Sequence, residues 1–241
     1  CLEALIREKR LRREDVTLTS KVGYLEGRNL RRLQALERLP EAVPFSEHGL
    51  YSLDPEFIRS EVSESLGRMR TDYVDHYLLQ NPEVHLEASM LLDGITSPSD
   101  ERVAAKYAEF EVRLEQAFAE LERQCSSGRI HGYGISSDAL VADWDRAPTG
   151  LPWTRILRIA ESAAASVGCQ QHHFQVVEMP ANLLERSVLQ PGGAAHWAKA
   201  NGLEVKIVRP LNAFSEARGQ SMRLADSPQP RSYDVLLEAL L

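Results

Sequence analysis

Short apolar segments alternate along the chain with longer amphipathic segments. The apolar segments are rich in β-branched residues and are bounded by turn residues, which is typical of buried strands. They occupy residues 16–20, ending at Lys21, and residues 73–79, 129–136, 174–179 and 203–211. The pattern therefore predicts five strands.

The segments between these strands show the spacing of helices that bury one face. Helices are predicted over residues 52–70, 100–128, 152–168, 192–202 and 232–241, with the end of another at 2–13. Ser52 or Asp54 can cap the first of these before Pro55, and Asp100 can cap the next. Residues 24–52, 217–231 and the segment beyond Pro82 are predicted to be irregular.

This alternation of strand and helix predicts an α/β protein with a parallel sheet covered by helices. A dinucleotide-binding domain is disfavoured, because no Gly-x-Gly-x-x-Gly follows a strand. Polar residues cluster just after the strands, at Lys21, Gln80, Ser136, Glu178 and Arg209. That placement favours a (β/α)8 TIM barrel, whose sites lie at the carboxyl ends of its strands.

The barrel is expected to be incomplete. A closed barrel of this kind needs eight strands, and the sequence of this chain predicts five. Residues 1–241 are interpreted as a single partial barrel domain. Either the remaining strands lie outside this chain or partner surfaces cover the gap. The chain begins at Cys1 without a methionine, so it is expected to be a processed product or part of something longer.

Composition excludes several classes of partner. The net charge of −7 is spread without a basic stripe, so neither nucleic acid nor an anionic membrane is expected as a partner. The chain contains no apolar run of the roughly 20 residues that span a bilayer.

Cysteine usage favours an intracellular, reducing compartment, such as the cytoplasm or an organelle matrix like that of the mitochondrion. The chain has three widely spaced cysteines and no Cys-x-x-Cys pair. His172 and His173 are adjacent at a strand entrance, where neighbouring side chains diverge. They are therefore predicted to be exposed histidines, and no metal site is expected.

Five stretches resemble the aldo-keto reductase family in order and spacing. They read LTSKVGY at 18–24, SEVSESLGRMRTDYVDHYLLQNPE at 60–83, AFAELERQCSSGRIHGYGISS at 117–137, FQVVEMPANLLE at 174–185 and VKIVRPLNAF at 205–214. The resemblance implies a (β/α)8 barrel that binds NADPH or NADH. It assigns strands three to seven to this chain. The first two strands, with the catalytic aspartate and tyrosine, would precede Cys1, and the eighth would follow Leu241.

The same resemblance implies two catalytic positions. Lys21 matches the lysine that lowers the pKa of the catalytic tyrosine. Gln80 stands where the family has a histidine that polarises the substrate carbonyl. A glutamine amide can donate a hydrogen bond but cannot carry imidazolium charge. His76, four residues back in the strand, and His85, in the predicted loop, are not expected to replace that histidine.

The positions that would hold the cofactor also depart from the family. Ser136 matches a family serine, Ser137 occupies an asparagine position, and Glu178 occupies a glutamine position, in the set that holds the nicotinamide carboxamide. Val208 stands where an aromatic ring often stacks on the nicotinamide. Arg209 replaces a small polar residue, and could grip a phosphate or pair with Glu178 and close the barrel mouth.

Three hypotheses follow from these departures. The first is a catalytically degenerate aldo-keto-reductase-like protein without bound cofactor, acting as a structural or accessory subunit with protein partners. The second is an NAD(P)H-dependent reductase of small carbonyl substrates that uses NADP and whose terminal segments lie outside this chain. The third is a sensor that binds NADP without turnover.

Overall fold

The architecture is that of a computed structural model, which describes residues 2–35, 41–141, 151, 153–215 and 220–223. The strands in these residues are β1 (Thr19–Val22), β2 (Tyr24–Leu25), β3 (Val43–Ser46), β4 (Gly49–Tyr51), β5 (Val74–Gln80), β6 (Ile130–Ser136), β7 (Phe174–Pro180), β8 (Glu204–Val208), β9 (Asn212–Ser215) and β10 (Gln220–Arg223). The α-helices are α1 (Leu2–Arg7), α2 (Gly27–Ala35), α3 (Pro55–Met69), α4 (Glu83–Leu92), α5 (Val103–Ser126), α6 (Trp153–Ser166) and α7 (Ala194–Ala200).

The five strands predicted from the sequence form one parallel sheet. Its order is β1-β5-β6-β7-β8, so each crossover joins neighbouring strands. The three central strands, β5 to β7, lie within one residue of their predicted ends, whereas β1 begins three residues later and β8 ends three residues earlier than predicted. No closed barrel is present among the described residues, and the fold is an incomplete (β/α)8 barrel.

The two faces of the sheet differ in chemistry. Tyr77, Leu79, Ile135 and Val177 alternate onto the face that packs against the helices, and they belong to the main hydrophobic core. The other face carries Lys21, Gln80, Ser136 and Glu178 at the carboxyl ends of neighbouring strands. Because side chains alternate strictly along a strand, the same register that buries the core presents these polar groups together.

A second polar layer lies deeper on the same face. The Lys206 ammonium donates to the Thr19 hydroxyl at 2.8 Å and to the His76 Nδ1 at 3.0 Å. The His76 Nε2 lies 3.6 Å from a Glu204 carboxylate oxygen. Burial, and then Lys206, lowers the pKa of His76. This contact between β8 and β1 spans the two edge strands of the sheet, which therefore curls toward closure.

The predicted helices of the central region are confirmed with small changes at their starts. Asp54, not Ser52, caps α3, since its carboxylate accepts from the Phe57 amide at 3.0 Å. The long helix α5 begins later than predicted, and Asp100 instead holds Arg102 in the preceding turn. Gly128 and Gly168 follow α5 and α6 with positive φ, as predicted for helix-ending glycines.

Four local predictions were wrong. The first helix ends at Arg7 rather than near residue 13, with Lys9 at φ 56°. Residues 24–52 contain α2 and the small antiparallel sheet β2-β4-β3. The segment beyond Pro82 is α4, and β10 lies within the predicted loop 217–231, paired with β9. These elements are short, so their periodicity is weak compared with the tertiary contacts that stabilise them. The predicted helix at 232–241 lies outside the described residues.

Within the described part of the chain, no helix combines the length and apolar character needed to cross a membrane.

Candidate functional site

Lys21, Ser136 and Glu178 form one hydrogen-bonded cluster at the carboxyl end of the sheet. The Lys21 ammonium contacts the Glu178 carboxylate and donates to the Ser136 Oγ at 3.2 Å. The Ser136 hydroxyl in turn donates to the same Glu178 oxygen at 2.7 Å. Three positions that the sequence analysis selected separately are therefore in direct contact.

The strand register explains this contact. Gln80 lies beside Ser136 across β5 and β6, and Ser136 lies beside Glu178 across β6 and β7. Lys21 is one strand further away, on β1, and its long side chain crosses the concave face to reach Glu178.

The cluster is sheltered from water unevenly. Glu178 and Ser136 are buried, whereas the Lys21 side chain keeps 30% of its surface exposed. A buried carboxylate needs a partner, because transfer of a lone charge out of water is costly. Lys21 and Ser136 supply that partner, so the described cluster is close to neutral overall.

Gln80 is fixed through its backbone. Its carbonyl accepts a hydrogen bond from the Tyr51 hydroxyl at 2.7 Å. The next residue, Asn81, turns the chain with φ 49°, a conformation that asparagine tolerates well, and its amide donates to the Ser136 carbonyl at 2.6 Å. Complete burial raises the pKa of Tyr51 well above its ordinary value. Tyr51 is therefore a structural anchor for the end of β5.

Ser137 serves the turn that follows β6. Its amide donates to the Glu178 carbonyl, and its hydroxyl accepts from the Ala139 amide at 3.1 Å. The side chain is buried and lies one position beyond Ser136, so it alternates away from Lys21. The described contacts give the Ser137 hydroxyl a structural role, and they do not bring it into the Lys21 cluster.

Arg209 does not pair with Glu178, which corrects one of its two suggested roles. Its guanidinium lies 3.1 Å from Glu185 and 3.5 Å from Asp138, in the loops beyond β7 and β6. The Arg209 backbone adopts the left-handed conformation, with φ 57°. Arg209 therefore links the loops at the mouth, while Glu178 is held by Lys21.

Glu83, a buried carboxyl group near this end of the sheet, was not among the predicted site residues. One carboxylate oxygen of Glu83 accepts from the Ala139 amide at 3.3 Å. Burial raises its pKa to about 7. His85, buried on the same helix, has its pKa lowered by burial to about 4. The segment that contains both residues was predicted to be a loop. It forms the α4 helix instead, and that helix places both side chains in the interior.

The sequence of the chain also matches a model of a known protein family. The model described as the aldo/keto reductase family matches residues 1–187 of the chain. The chain belongs to the aldo/keto reductase family. The family predicted from the sequence is thereby confirmed, and the first four of the five stretches lie within the matched residues. No curated protein sequence matches the chain.

Several solved structures are similar to this aldo/keto reductase family member. The holo form of the aldo-keto reductase AKR11C1 from Bacillus halodurans has a TM-score of 0.47 and 19% identity, over 98% of this chain and 55% of that one. PA4992 from Pseudomonas aeruginosa, named as an aldo-keto reductase, has a TM-score of 0.44 and 16% identity, over 85% and 54%. A protein named as a 2,5-diketo-D-gluconic acid reductase B has a TM-score of 0.45 and 15% identity, over 86% and 47%. The chain spans about half the length of these structures.

Proposed function

We propose that this chain is an aldo-keto-reductase-like protein that no longer reduces carbonyl groups and serves as a structural or accessory subunit of a larger assembly. The observation that carries the proposal is the Lys21 ammonium held between Glu178 and Ser136. In the family pattern this lysine acts on a tyrosine hydroxyl, which must transfer a proton to the reduced carbonyl.

The Glu178 carboxylate opposes the role of the lysine. A phenol with an ordinary pKa of about 10 needs a neighbouring positive charge to act near neutral pH. Here a carboxylate contacts the ammonium directly, so the positive field available to a nearby phenol is largely cancelled. Gln80 adds a second deficit, because its amide cannot supply imidazolium charge to the carbonyl oxygen.

The groups that would hold a nicotinamide are already satisfied by one another. Ser136 donates its hydroxyl proton to Glu178, and an ionised Glu178 can only accept hydrogen bonds. A carboxamide oxygen would therefore need Lys21 or Ser136 to leave a mostly buried carboxylate. This competition supports the expectation that no nicotinamide cofactor binds strongly.

The open sheet supports a role within an assembly. Among the described strands, β1 pairs with β5 alone and β8 pairs with β7 alone, so each leaves one edge without a neighbour. Unpaired edges of a parallel sheet are ordinarily covered, because their amide and carbonyl groups pair readily with another chain. A partner protein that covers these edges would complete the layer.

The proposal is tested with the purified full-length protein, NADPH and a panel of small aldehydes and ketones. We expect no oxidation of NADPH above the rate without protein, and no saturable change in nicotinamide fluorescence on titration. Turnover of any carbonyl compound would overturn the loss of reductase activity. Saturable binding of NADPH without turnover would instead identify a cofactor sensor. It would contradict the proposal that the protein binds no cofactor.

A Glu178→Gln variant tests the reason given for the loss. Removing the carboxylate frees the Lys21 ammonium and places an amide where the family pattern has one, so nicotinamide binding is expected to appear in the fluorescence titration. Glu185→Gln is the matched control, since this carboxylate lies at the same end of the sheet but pairs with Arg209. Equal behaviour of the two variants would show that the Lys21–Glu178 pair does not govern binding.

The second candidate is a working NAD(P)H-dependent carbonyl reductase. It is favoured by the preserved positions of Lys21 and Ser136 at the carboxyl end of the sheet, where the Lys21 Nζ lies 3.2 Å from the Ser136 Oγ. Such an enzyme requires a tyrosine and an aspartate from outside this chain. The turnover assay on the full-length protein separates the two candidates, because only the reductase consumes NADPH in proportion to the carbonyl substrate.

A further inference from the structure

Glu122, Cys169 and His173 converge at the amino-terminal end of the sheet, opposite the Lys21 cluster. Glu122 lies near the end of α5, Cys169 follows α6, and His173 directly precedes β7. One ligand atom from each residue lies within 4.8 Å of the other two. Glu122 precedes Cys169 by 47 positions and His173 by 51, so only the fold brings the three together.

The carboxylate of Glu122 is fully buried and already faces His173. Its Oε1 accepts from the His173 backbone amide at 2.7 Å, and its Oε2 lies 2.6 Å from the His173 Nδ1. A buried carboxylate requires a positive partner, and the imidazole supplies one only when it is protonated. A divalent cation bound between these side chains would neutralise Glu122 while the imidazole stays in its neutral, metal-binding form.

The cluster is accessible to a cation from solvent. Cys169 and His173 are each partly exposed, and the Cys169 Sγ is held 3.5 Å from the Ser126 hydroxyl. A surface pocket of about 380 Å³ adjoins the cluster and is lined by Cys169, His172 and residues of α6. The sulfur therefore has an open side, whereas the carboxylate forms the closed floor of the site.

We propose that Glu122, Cys169 and His173 bind a zinc ion. Thiolate sulfur, imidazole nitrogen and carboxylate oxygen are the three ligand types that zinc takes in proteins, and the mixture disfavours calcium and magnesium, which prefer oxygen alone. Binding converts the Cys169 thiol to a thiolate and displaces the proton shared by the His173 Nδ1 and the Glu122 Oε2, and both protons are released to water. Water from the adjoining pocket completes the tetrahedral shell.

The zinc ion would cross-link segments of the chain that are distant in sequence. Glu122 belongs to α5, Cys169 lies in the connection between α6 and β7, and His173 directly precedes β7. The ion would therefore join α5 and this connection to the amino-terminal end of the sheet. In barrels of this kind the amino-terminal end serves stability rather than catalysis. The site is independent of the function proposed above, and its test does not depend on reductase activity.

Cobalt is the probe, because a thiolate–cobalt bond gives an ultraviolet charge-transfer band that zinc lacks. The reduced, chelator-treated full-length protein is titrated with Co²⁺ and then with Zn²⁺. We expect a band that saturates at one cobalt per chain, disappears on zinc addition, and is accompanied by a higher unfolding temperature with zinc bound. Failure to bind either ion at this stoichiometry would overturn the proposal.

Variants assign the ligands. Cys169→Ser should abolish the band, and His173→Asn should weaken zinc binding at least about tenfold in competition with a chromophoric chelator. The matched controls are Cys125→Ser and His172→Gln, which alter the neighbouring cysteine and histidine outside the cluster. Retention of the band in Cys169→Ser, or its loss in Cys125→Ser with Cys169 intact, would reject the assignment. The band reports thiolate ligation directly, and the Cys125→Ser control shows whether a cysteine substitution alone removes it.

Discussion

At the scale of single residues, buried charged groups distinguish the two ends of this molecule. Glu178 is neutralised by Lys21, and Glu122 faces His173. Glu83 differs from both, since its described hydrogen-bond donors, the Ala139 amide among them, are neutral groups and burial is the largest influence on its pKa. A carboxyl group in such surroundings favours its protonated form, so it couples stability to pH.

Glu83 is expected to make the protein less stable as pH rises from about 4.5 to about 7. The folded-state pKa is about 7, above the ordinary 4.5, so the folded state binds more protons in this interval. The stabilisation is complete below the unfolded-state pKa and is lost as pH passes the folded-state value. The full effect is on the order of 3 kcal/mol.

A Glu83→Gln variant should remove this dependence. Urea unfolding at pH 5 and pH 8 should show the variant gaining stability relative to the parent protein at the higher pH. His85 has the opposite sign, because its lowered pKa costs stability as pH falls from about 6.5 to about 4, but it is present in both proteins. Glu47→Gln, in an exposed turn, is the control. An unchanged difference between the two pH values would contradict a buried, protonated Glu83.

At the scale of elements, the strands β6 and β7 approach each other closely at Gly134. A Cβ built at Gly134 would lie 1.8 Å from the Val176 carbonyl oxygen, inside the contact distance of any two such atoms. The pairing of β6 and β7 is also irregular between Tyr133 and Gly134. Glycine at this position therefore allows the backbones of β6 and β7 to approach each other closely.

Gly134→Ala is therefore expected to destabilise the fold by on the order of 3 kcal/mol or more, because β6 and β7 must separate to admit the methyl group. Gly67 offers a matched comparison on helix α3, where an added Cβ meets nothing within 4 Å. Gly67→Ala should stabilise by about 0.5 to 1 kcal/mol, through the higher helix propensity of alanine. Chemical denaturation measures both changes, and similar effects at the two sites would refute the close-approach explanation.

At the scale of the whole molecule, the described sheet has three central strands and two edge strands, β1 and β8. Strand β6 is paired on both sides, whereas β1 and β8 are each paired on one side among the described residues. Amide groups on the free sides depend on water or on a partner for hydrogen bonds. The stability of backbone hydrogen bonds should therefore fall from the centre of the sheet to its margins.

Hydrogen exchange measures this gradient. Peptides covering β6 should exchange most slowly in the isolated chain, and those covering β1 and β8 should exchange faster. Strand β5, which is paired on both sides, is the internal control. A partner that completes the assembly should slow exchange at β1 and β8 specifically. Uniformly slow exchange across all five strands in the isolated chain would argue against open margins.

The sequence by itself determined the five-stranded parallel sheet, the main helices and the family. Apolar runs and amphipathic periods are local signals, and they survive because each buries one face in a common core. Lys21, Ser136 and Glu178 were likewise predicted at strand ends, where parallel strands bring side chains to one edge.

Only the tertiary structure decided which groups touch. The partner of Glu178 is Lys21 rather than Arg209, because side-chain reach across the curled sheet, not sequence position, sets that distance. Glu83 is buried because it lies on α4, a short helix whose apolar residues show no clear helical periodicity. Glu122, Cys169 and His173 come together through packing of helices against the sheet, a long-range contact for which the sequence carries no local signal.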